Sequence, residues 1–117
     1  MTTYTKLKLS GSTDGKLIKV VATVTAGTLI HTAVAGVSDF DEVWIYAVNS
    51  DTTARKLTIE FGGVAAPDDH IEKTIQPEDG LILIVPGFVL QNAVVVRAFA
   101  ATANVLLLGG FVNRITV

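Results

Sequence analysis

The sequence predicts an all-β fold, an antiparallel β-sandwich or jelly-roll-like barrel of about eight strands with no significant helix. Half of the 117 residues are hydrophobic and only 17% are charged, against roughly 25% charged in an average soluble protein. Many apolar residues are β-branched or aliphatic and stand in short runs interrupted by Gly, Asn, Asp and Pro, a pattern typical of strands. Turn signals recur about every 8 to 12 residues, as in a sandwich or barrel. One domain, residues 1–117, is expected because the chain is too short for two cores.

Alternation of apolar and polar side chains marks the first predicted strands. Leucines alternate with lysines in 4–9, and apolar side chains share one face of 17–25 until Gly27 ends that strand. A short strand follows at 28–34. The strand 42–48 differs because both of its faces are apolar, so it is either central in a sheet or covered by a partner.

Turn residues bound the remaining strands. A turn rich in Asn, Ser, Asp and Thr precedes 55–61, where three apolar residues alternate with polar ones until Gly62-Gly63. Pro and Gly separate several of the later segments, which are 70–76, 81–85, 94–99, 104–108 and a final edge strand, 111–117.

Several strands carry apolar side chains on both faces, namely 42–48, 81–85, 94–99 and 104–108. A two-sheet sandwich buries only one face of each sheet, and monomers rarely leave large contiguous apolar patches exposed. An obligate partner surface is therefore expected. The alternative is a closed barrel or a covered central strand, which would hide the same side chains inside one subunit.

We expect the partner surface to combine two N-terminal lysines with aromatic and apolar side chains of later strands. The residues assigned to it are Lys6, Lys8, Trp44, Tyr46, Val48, Val95, Phe99 and Phe111. Trp44 and Tyr46 share one strand face, where they either pack in an interface or stack on a sugar ring. Because Val48 extends this face, packing is favoured.

The charges are unevenly distributed along the chain. Residues 1–20 contain four lysines and one aspartate, a net charge of +3, whereas residues 21–117 contain five basic and ten acidic side chains, a net charge of −5. Residues 1–16 are expected to form an N-terminal arm or an edge hairpin that meets an acidic surface of a neighbouring copy or another protein. An ordinary solvated edge strand is the alternative. Nucleic-acid binding is not expected, because only Tyr4 lies near the lysines and the net charge is negative.

No residue pattern points to catalysis, a cofactor or a metal ion. The candidate metal ligands are Asp68, Asp69, His70 and Glu72 with His31, and a second acidic group, Asp39, Asp41 and Glu42. The first group lacks the spacing of a zinc or calcium site. The Asp-x-Asp spacing of the second group is a weak hint of calcium binding, but a solvated loop before a strand is the favoured interpretation. No serine lies in a Gly-x-Ser-x-Gly elbow, and cysteine is absent. Glu78 and Asp79 could be considered a catalytic acid pair, but Pro77 and Gly80 on either side mark a turn. We therefore expect no enzyme activity, no cofactor and no metal.

No segment is expected to enter a membrane or the secretory pathway. Residues 1–6 are polar, unlike a secretory signal. The most apolar window, 93–112, contains Arg97 and Asn104 and is expected to be broken near its end by Gly109-Gly110. Two strands and a turn are therefore predicted there.

Several stretches of the sequence resemble a group of viral proteins. They are residues 49–59 followed by a Gly pair, Ile-Gln-Pro-Glu-Asp-Gly at 75–80 before an aliphatic strand, Leu90 before 94–98, and the closing run at 104–115. Together they are similar to small β-sandwich proteins encoded among the head and tail genes of tailed bacteriophages. The likeness covers roughly residues 28 to 115.

The resemblance implies a bacteriophage virion structural protein, specifically a capsid decoration or cement protein on the phage head surface, assembled in the host cytoplasm. Such a protein would form a homo-oligomer, with a trimer favoured, and would bind the major capsid protein. A tail, baseplate or head-tail joining component is the alternative. A carbohydrate-binding adhesin module that uses Trp44 and Tyr46 is the second alternative.

Overall fold

The computed structural model describes residues 2–117 and contains nine β-strands and, within those residues, no helix. The strands are β1 (Thr3–Lys8), β2 (Ile18–Lys19), β3 (Thr28–Thr32), β4 (Phe40–Asn49), β5 (Arg55–Phe61), β6 (His70–Ile75), β7 (Ile82–Leu90), β8 (Val95–Phe99) and β9 (Leu106–Thr116). They form two antiparallel sheets, consistent with a β-sandwich, and the all-β prediction is confirmed. Met1, part of the predicted N-terminal arm, lies outside the described residues.

The two sheets divide the strands five and four. Sheet A has the order β1-β9-β4-β7, and β2 pairs with another part of β9. Sheet B has the order β3-β8-β5-β6. The predicted strand 42–48 is therefore central in sheet A, between β9 and β7. A central strand of a sandwich still turns one face outward, so its second apolar face needs a further explanation.

The hydrophobic core lies between the sheets. In β4 alternate residues are buried, and those between them are half-buried on the outward face. Sheet B contributes Leu57, Ile59, Val96 and Ala98, none of which has exposed surface. The Cα radius of gyration is 13.8 Å, close to the roughly 13 Å expected of one domain of this length. No helix among residues 2–117 is long and apolar enough to cross a membrane.

The N-terminal segment differs from the predicted hairpin. β1 pairs with the C-terminal part of β9 and β2 with Leu107 and Leu108, and the two do not pair with each other. The turn between them is held against sheet B, because Gly11 donates its N–H to the Ile30 carbonyl at 2.9 Å. Residues 3–8 are thus an edge strand of sheet A.

The predicted strand 17–25 is shorter in the structure, where only Ile18–Lys19 pairs as β2. Beyond it, Val21 and Ala22 donate their N–H groups to Thr28 Oγ1 at 3.1 and 3.0 Å. A side chain therefore replaces the strand partner, and the following residues leave sheet A to cross over sheet B.

Two strands run through residues that were predicted to end them. β7 continues through Pro86 and Gly87 to Leu90. Proline has no backbone N–H, and an edge strand tolerates this because its outer side pairs with no other strand. β9 (Leu106–Thr116) continues through Gly109-Gly110, so the predicted break at this pair is wrong, and most of 104–108 and of 111–117 belongs to one strand. That strand is not an edge, since it lies between β4 and β1.

Candidate functional site

The outward face of sheet A carries a continuous apolar surface, which we call the platform. Residues directly opposite each other in antiparallel strands share a face. Trp44 lies opposite both Phe111 of β9 and Pro86 of β7, and Tyr46 lies opposite Leu83. The platform consists of Trp44, Tyr46, Val48, Leu83, Pro86, Val89, Leu107 and Phe111.

The platform is most open to solvent along β7. Leu83 and Val89 are 43% and 55% exposed. Trp44 and Phe111 are half-buried and stack on each other, with ring centroids 6.1 Å apart and an interplanar angle of 14°. An apolar surface that spans three adjacent strands is rarely left uncovered, so the platform is a candidate interface.

Polar side chains hold the two stacked rings in place. Trp44 Nε1 and Asn113 Nδ2 both donate to Glu42 Oε1, at 2.8 and 2.9 Å. The hydrogen bonds from Asn113 and Trp44 lower the pKa of the Glu42 carboxyl, so it stays charged. Lys6 Nζ lies 4.6 Å from the centroid of the Phe111 ring, a cation–π contact. The rings are therefore fixed before any partner binds.

Most residues predicted for the partner surface lie on or beside the platform. Those that the fold brings together are Lys6, Lys8, Trp44, Tyr46, Val48 and Phe111. Val95 and Phe99 do not join them, because they lie in β8, on the outward face of sheet B. The prediction missed Leu83 and Leu107, although both lie in runs predicted to be apolar on two faces.

A second group of polar side chains is buried between the sheets. Asp41 has no exposed surface, and its carboxylate accepts bonds from Arg114 Nε at 2.8 Å and Nη2 at 3.0 Å. His31 of β3 contacts the same carboxylate through Nε2 at 2.7 Å, and its Nδ1 accepts the Ser10 N–H at 3.0 Å. Because Nδ1 is an acceptor, the proton lies on Nε2, which donates to Asp41.

This network links the two sheets and does not have the geometry of a serine triad. Ser10 presents its backbone N–H to His31, while its hydroxyl oxygen accepts the Thr32 N–H at 2.7 Å. Neither nitrogen of the His31 imidazole is therefore hydrogen-bonded to a serine hydroxyl. The prediction that Asp41 lies in a solvated loop is wrong, since Asp41 belongs to β4 and faces inward. Asp41, Val43 and Ile45 are spaced two residues apart and so share one strand face, which is the sequence signal that indicates the inward orientation of Asp41.

No group of three or more His, Cys, Asp or Glu side chains in residues 2–117 is arranged to hold a metal ion. Asp69 Oδ2 accepts the Ala65 N–H at 3.0 Å and so closes the loop between β5 and β6. His70 lies directly opposite Glu60 of β5. Asp69 and His70 therefore contact different parts of the chain, the first the loop backbone and the second strand β5.

Known proteins add no further evidence about these surfaces. Comparison of the chain with protein families, with curated proteins and with solved structures finds no match.

Proposed function

We propose that this chain is a bacteriophage virion structural protein, a capsid decoration (cement) protein that forms a homo-oligomer and stabilises the head. The observation that carries the proposal is the platform, an apolar outward face that spans β7, β4 and β9. Covering it with a second copy would be favourable by roughly 25 cal/mol per Å² of apolar surface removed from water. The bacteriophage setting is supported by the sequence resemblance alone.

The charges at the two edges of sheet A favour contact between copies. Lys16 and Lys19 are exposed at the β2 edge, and Glu78 and Asp79 are exposed in the loop that leads into β7 at the opposite edge. The basic edge of one copy is therefore complementary to the acidic edge of the next. Such head-to-tail contacts close into a ring when the rotation permits, and we propose a trimer.

The other two lysines of the N-terminal segment are proposed to contact the major capsid protein. Lys6 and Lys8 are exposed on β1, whose outer side pairs with no strand of residues 2–117. Individual contacts need only be weak, because copies linked in a ring bind a repeating shell multivalently. A protein that binds only the mature shell stabilises that state by mass action.

Sedimentation equilibrium tests the homo-oligomer. The wild-type protein is expected at three times its 12.3 kDa, about 37 kDa. Leu83→Glu is expected at 12.3 kDa, because a covered platform would strip water from the new carboxylate. Val37→Glu is the matched control, since Val37 is 70% exposed in the loop before β4, and it should keep the wild-type mass. A monomeric wild-type protein, or Leu83→Glu at the wild-type mass, would contradict the proposal.

The same variants test the virion setting when they are sedimented with parts of the bacteriophage that encodes the chain. Wild-type protein is expected to co-sediment with mature heads. Leu83→Glu should bind them at least 100-fold more weakly, roughly the avidity that a monomer loses. Binding to tails instead of heads would favour the tail, baseplate or head-tail joining alternative.

A further inference from the structure

The outward face of sheet B, on the opposite side of the sandwich from the platform, carries a cleft of about 370 Å³. A volume of this size lies within the range of small-molecule sites, about 300–1,000 Å³. The side chains that matter for its chemistry are Thr23, Lys56, Thr58, His70, Glu72 and Phe99.

Two rows of side chains cross this face from β6 through β5 to β8. Glu72, Thr58 and Phe99 form the first row, and all three line the cleft. His70, Glu60 and Arg97 form the second row. Strand pairing therefore sets a carboxylate, a hydroxyl and an aromatic ring side by side along the first row.

The segment that follows β2 crosses over the second row. Glu60 has no exposed surface although it lies on the outward face. The Thr25 hydroxyl donates to Glu60 Oε2, and the Gly27 N–H donates to Oε1 at 2.7 Å. Arg97 Nη1 donates to the Gly27 carbonyl at 3.2 Å. The segment and the carboxylate thus hold each other, and Thr23 of the same segment lines the cleft.

Among the buried side-chain nitrogen and oxygen atoms of residues 2–117, only Nε2 of His70 has no hydrogen-bond partner. Its Nε2 lies 4.0 Å from Glu60 Oε2, beyond hydrogen-bond distance. The His70 and Phe99 rings form a T-shaped pair, with centroids 5.9 Å apart and an interplanar angle of 71°. Because this buried atom faces Glu60, His70 contributes its ring to the lining of the cleft, and hydrogen bonds to a ligand are left to the other side chains.

The charges around the cleft are already paired within the protein. Lys56 Nζ lies 2.9 Å from Glu72 Oε2, and Arg55 Nη2 lies 2.6 Å from Asp51 Oδ2. Both cationic side chains that line the cleft, Arg55 and Lys56, therefore have an acidic partner and are not free to attract an anion. The lining instead offers paired donors and acceptors, threonine hydroxyls and one aromatic ring, a combination that suits a neutral molecule with many hydroxyls and an apolar face.

We propose that this cleft binds a neutral saccharide, with the sugar face packed on Phe99 and its hydroxyls bonded to Glu72, Lys56 and Thr58. This inference does not depend on the homo-oligomer. A copy that covers the platform leaves the cleft on the other side of the sandwich.

Binding is measured on an array of neutral hexoses, N-acetylhexosamines and sialylated glycans, followed by NMR titration with the best neutral glycan. Phe99→Ala should weaken binding by about tenfold or more, because the stacking surface is lost. Glu72→Gln should weaken it by a similar factor through lost charge-assisted hydrogen bonds. Glu72 is exposed, so this variant is expected to fold even if Phe99→Ala does not. Val37→Glu, at an exposed loop position outside both the platform and the cleft, is the matched control and should bind like the wild-type protein.

Binding of a neutral glycan that Glu72→Gln weakens and Val37→Glu leaves unchanged supports the proposal. Three results overturn it: no neutral glycan binds, only sialylated glycans bind, or Glu72→Gln binds the neutral glycan as well as the wild-type protein does. The mass of the protein reports on the homo-oligomer separately, so failure of one proposal is distinguishable from failure of the other.

Discussion

Replacing Gly110 with alanine is expected to lower the free energy of unfolding by about 3–5 kcal/mol, from overpacking and an unfavourable φ together. Gly110 has a φ of +153°, and a Cβ there would lie 2.0 Å from the Trp44 carbonyl oxygen. That oxygen belongs to β4, which is hydrogen-bonded on both sides in sheet A. The backbone therefore cannot move aside without breaking ladder bonds.

Gly109→Ala is the matched control for this prediction. A Cβ at Gly109 would lie 2.6 Å from Leu17 Cδ2, the end of a side chain that is 46% exposed and free to rotate away. We expect its cost to stay below about 1.5 kcal/mol. Urea unfolding at one protein concentration, followed by circular dichroism, compares the two variants. Equal losses would contradict the close approach of β9 to β4 at Gly110.

Replacing Asp41 with leucine is expected to destabilise the fold by about 3–5 kcal/mol, the usual cost of removing one member of a buried ionic group. The variant leaves Arg114 and His31 without their shared acceptor. Arg114 is 32% exposed and can turn to water, but His31 has a side-chain exposure of only 2%. Thermal unfolding measures the loss. Asp68→Leu, at an exposed position in the loop after β5, is the control and should change stability by less than about 0.5 kcal/mol.

The dependence of stability on pH gives this prediction a second readout. Burial alone would raise the pKa of Asp41, but hydrogen bonds from Arg114 and His31, together with the charge of Arg114, lower it below its ordinary value. A carboxyl whose pKa falls on folding stabilises the fold above its unfolded pKa of about 4. This contribution is lost as the pH drops through the lower folded value. The stability difference between wild type and Asp41→Leu should therefore shrink below about pH 4. A difference that stays constant into acid would rule out the charged carboxylate as its source.

Alternation predicts the strands well where local packing decides a residue's environment, and it fails where a distant segment does. β5 (Arg55–Phe61) matches its predicted bounds, because Leu57 and Ile59 alternate with polar residues and face the core. Glu60 follows the polar phase of the same alternation, yet it is fully buried. Its burial comes from Thr25 and Gly27, which approach from a segment whose path local periodicity does not define.

For the platform, the sequence predicts one strand face but not its neighbours. Trp44 and Tyr46 share a face by alternation alone. Phe111 stands beside Trp44 only because β9 pairs with β4 in one register, in which Gly110 meets the Trp44 carbonyl. Phe99 has the same apolar character but belongs to sheet B, because β8 pairs with β3 and β5. Strand partners depend on long-range register, which a local pattern leaves open.

Acrylamide quenching of Trp44 fluorescence tests most directly whether other copies cover the platform. Trp44 is the only tryptophan of the chain and lies within the platform, so its accessibility to the quencher reports on this surface. We expect quenching to be weak in concentrated wild-type protein, to rise on dilution as the oligomer dissociates, and to be high at every concentration for Leu83→Glu. Quenching that is the same in both proteins and independent of concentration would contradict the account.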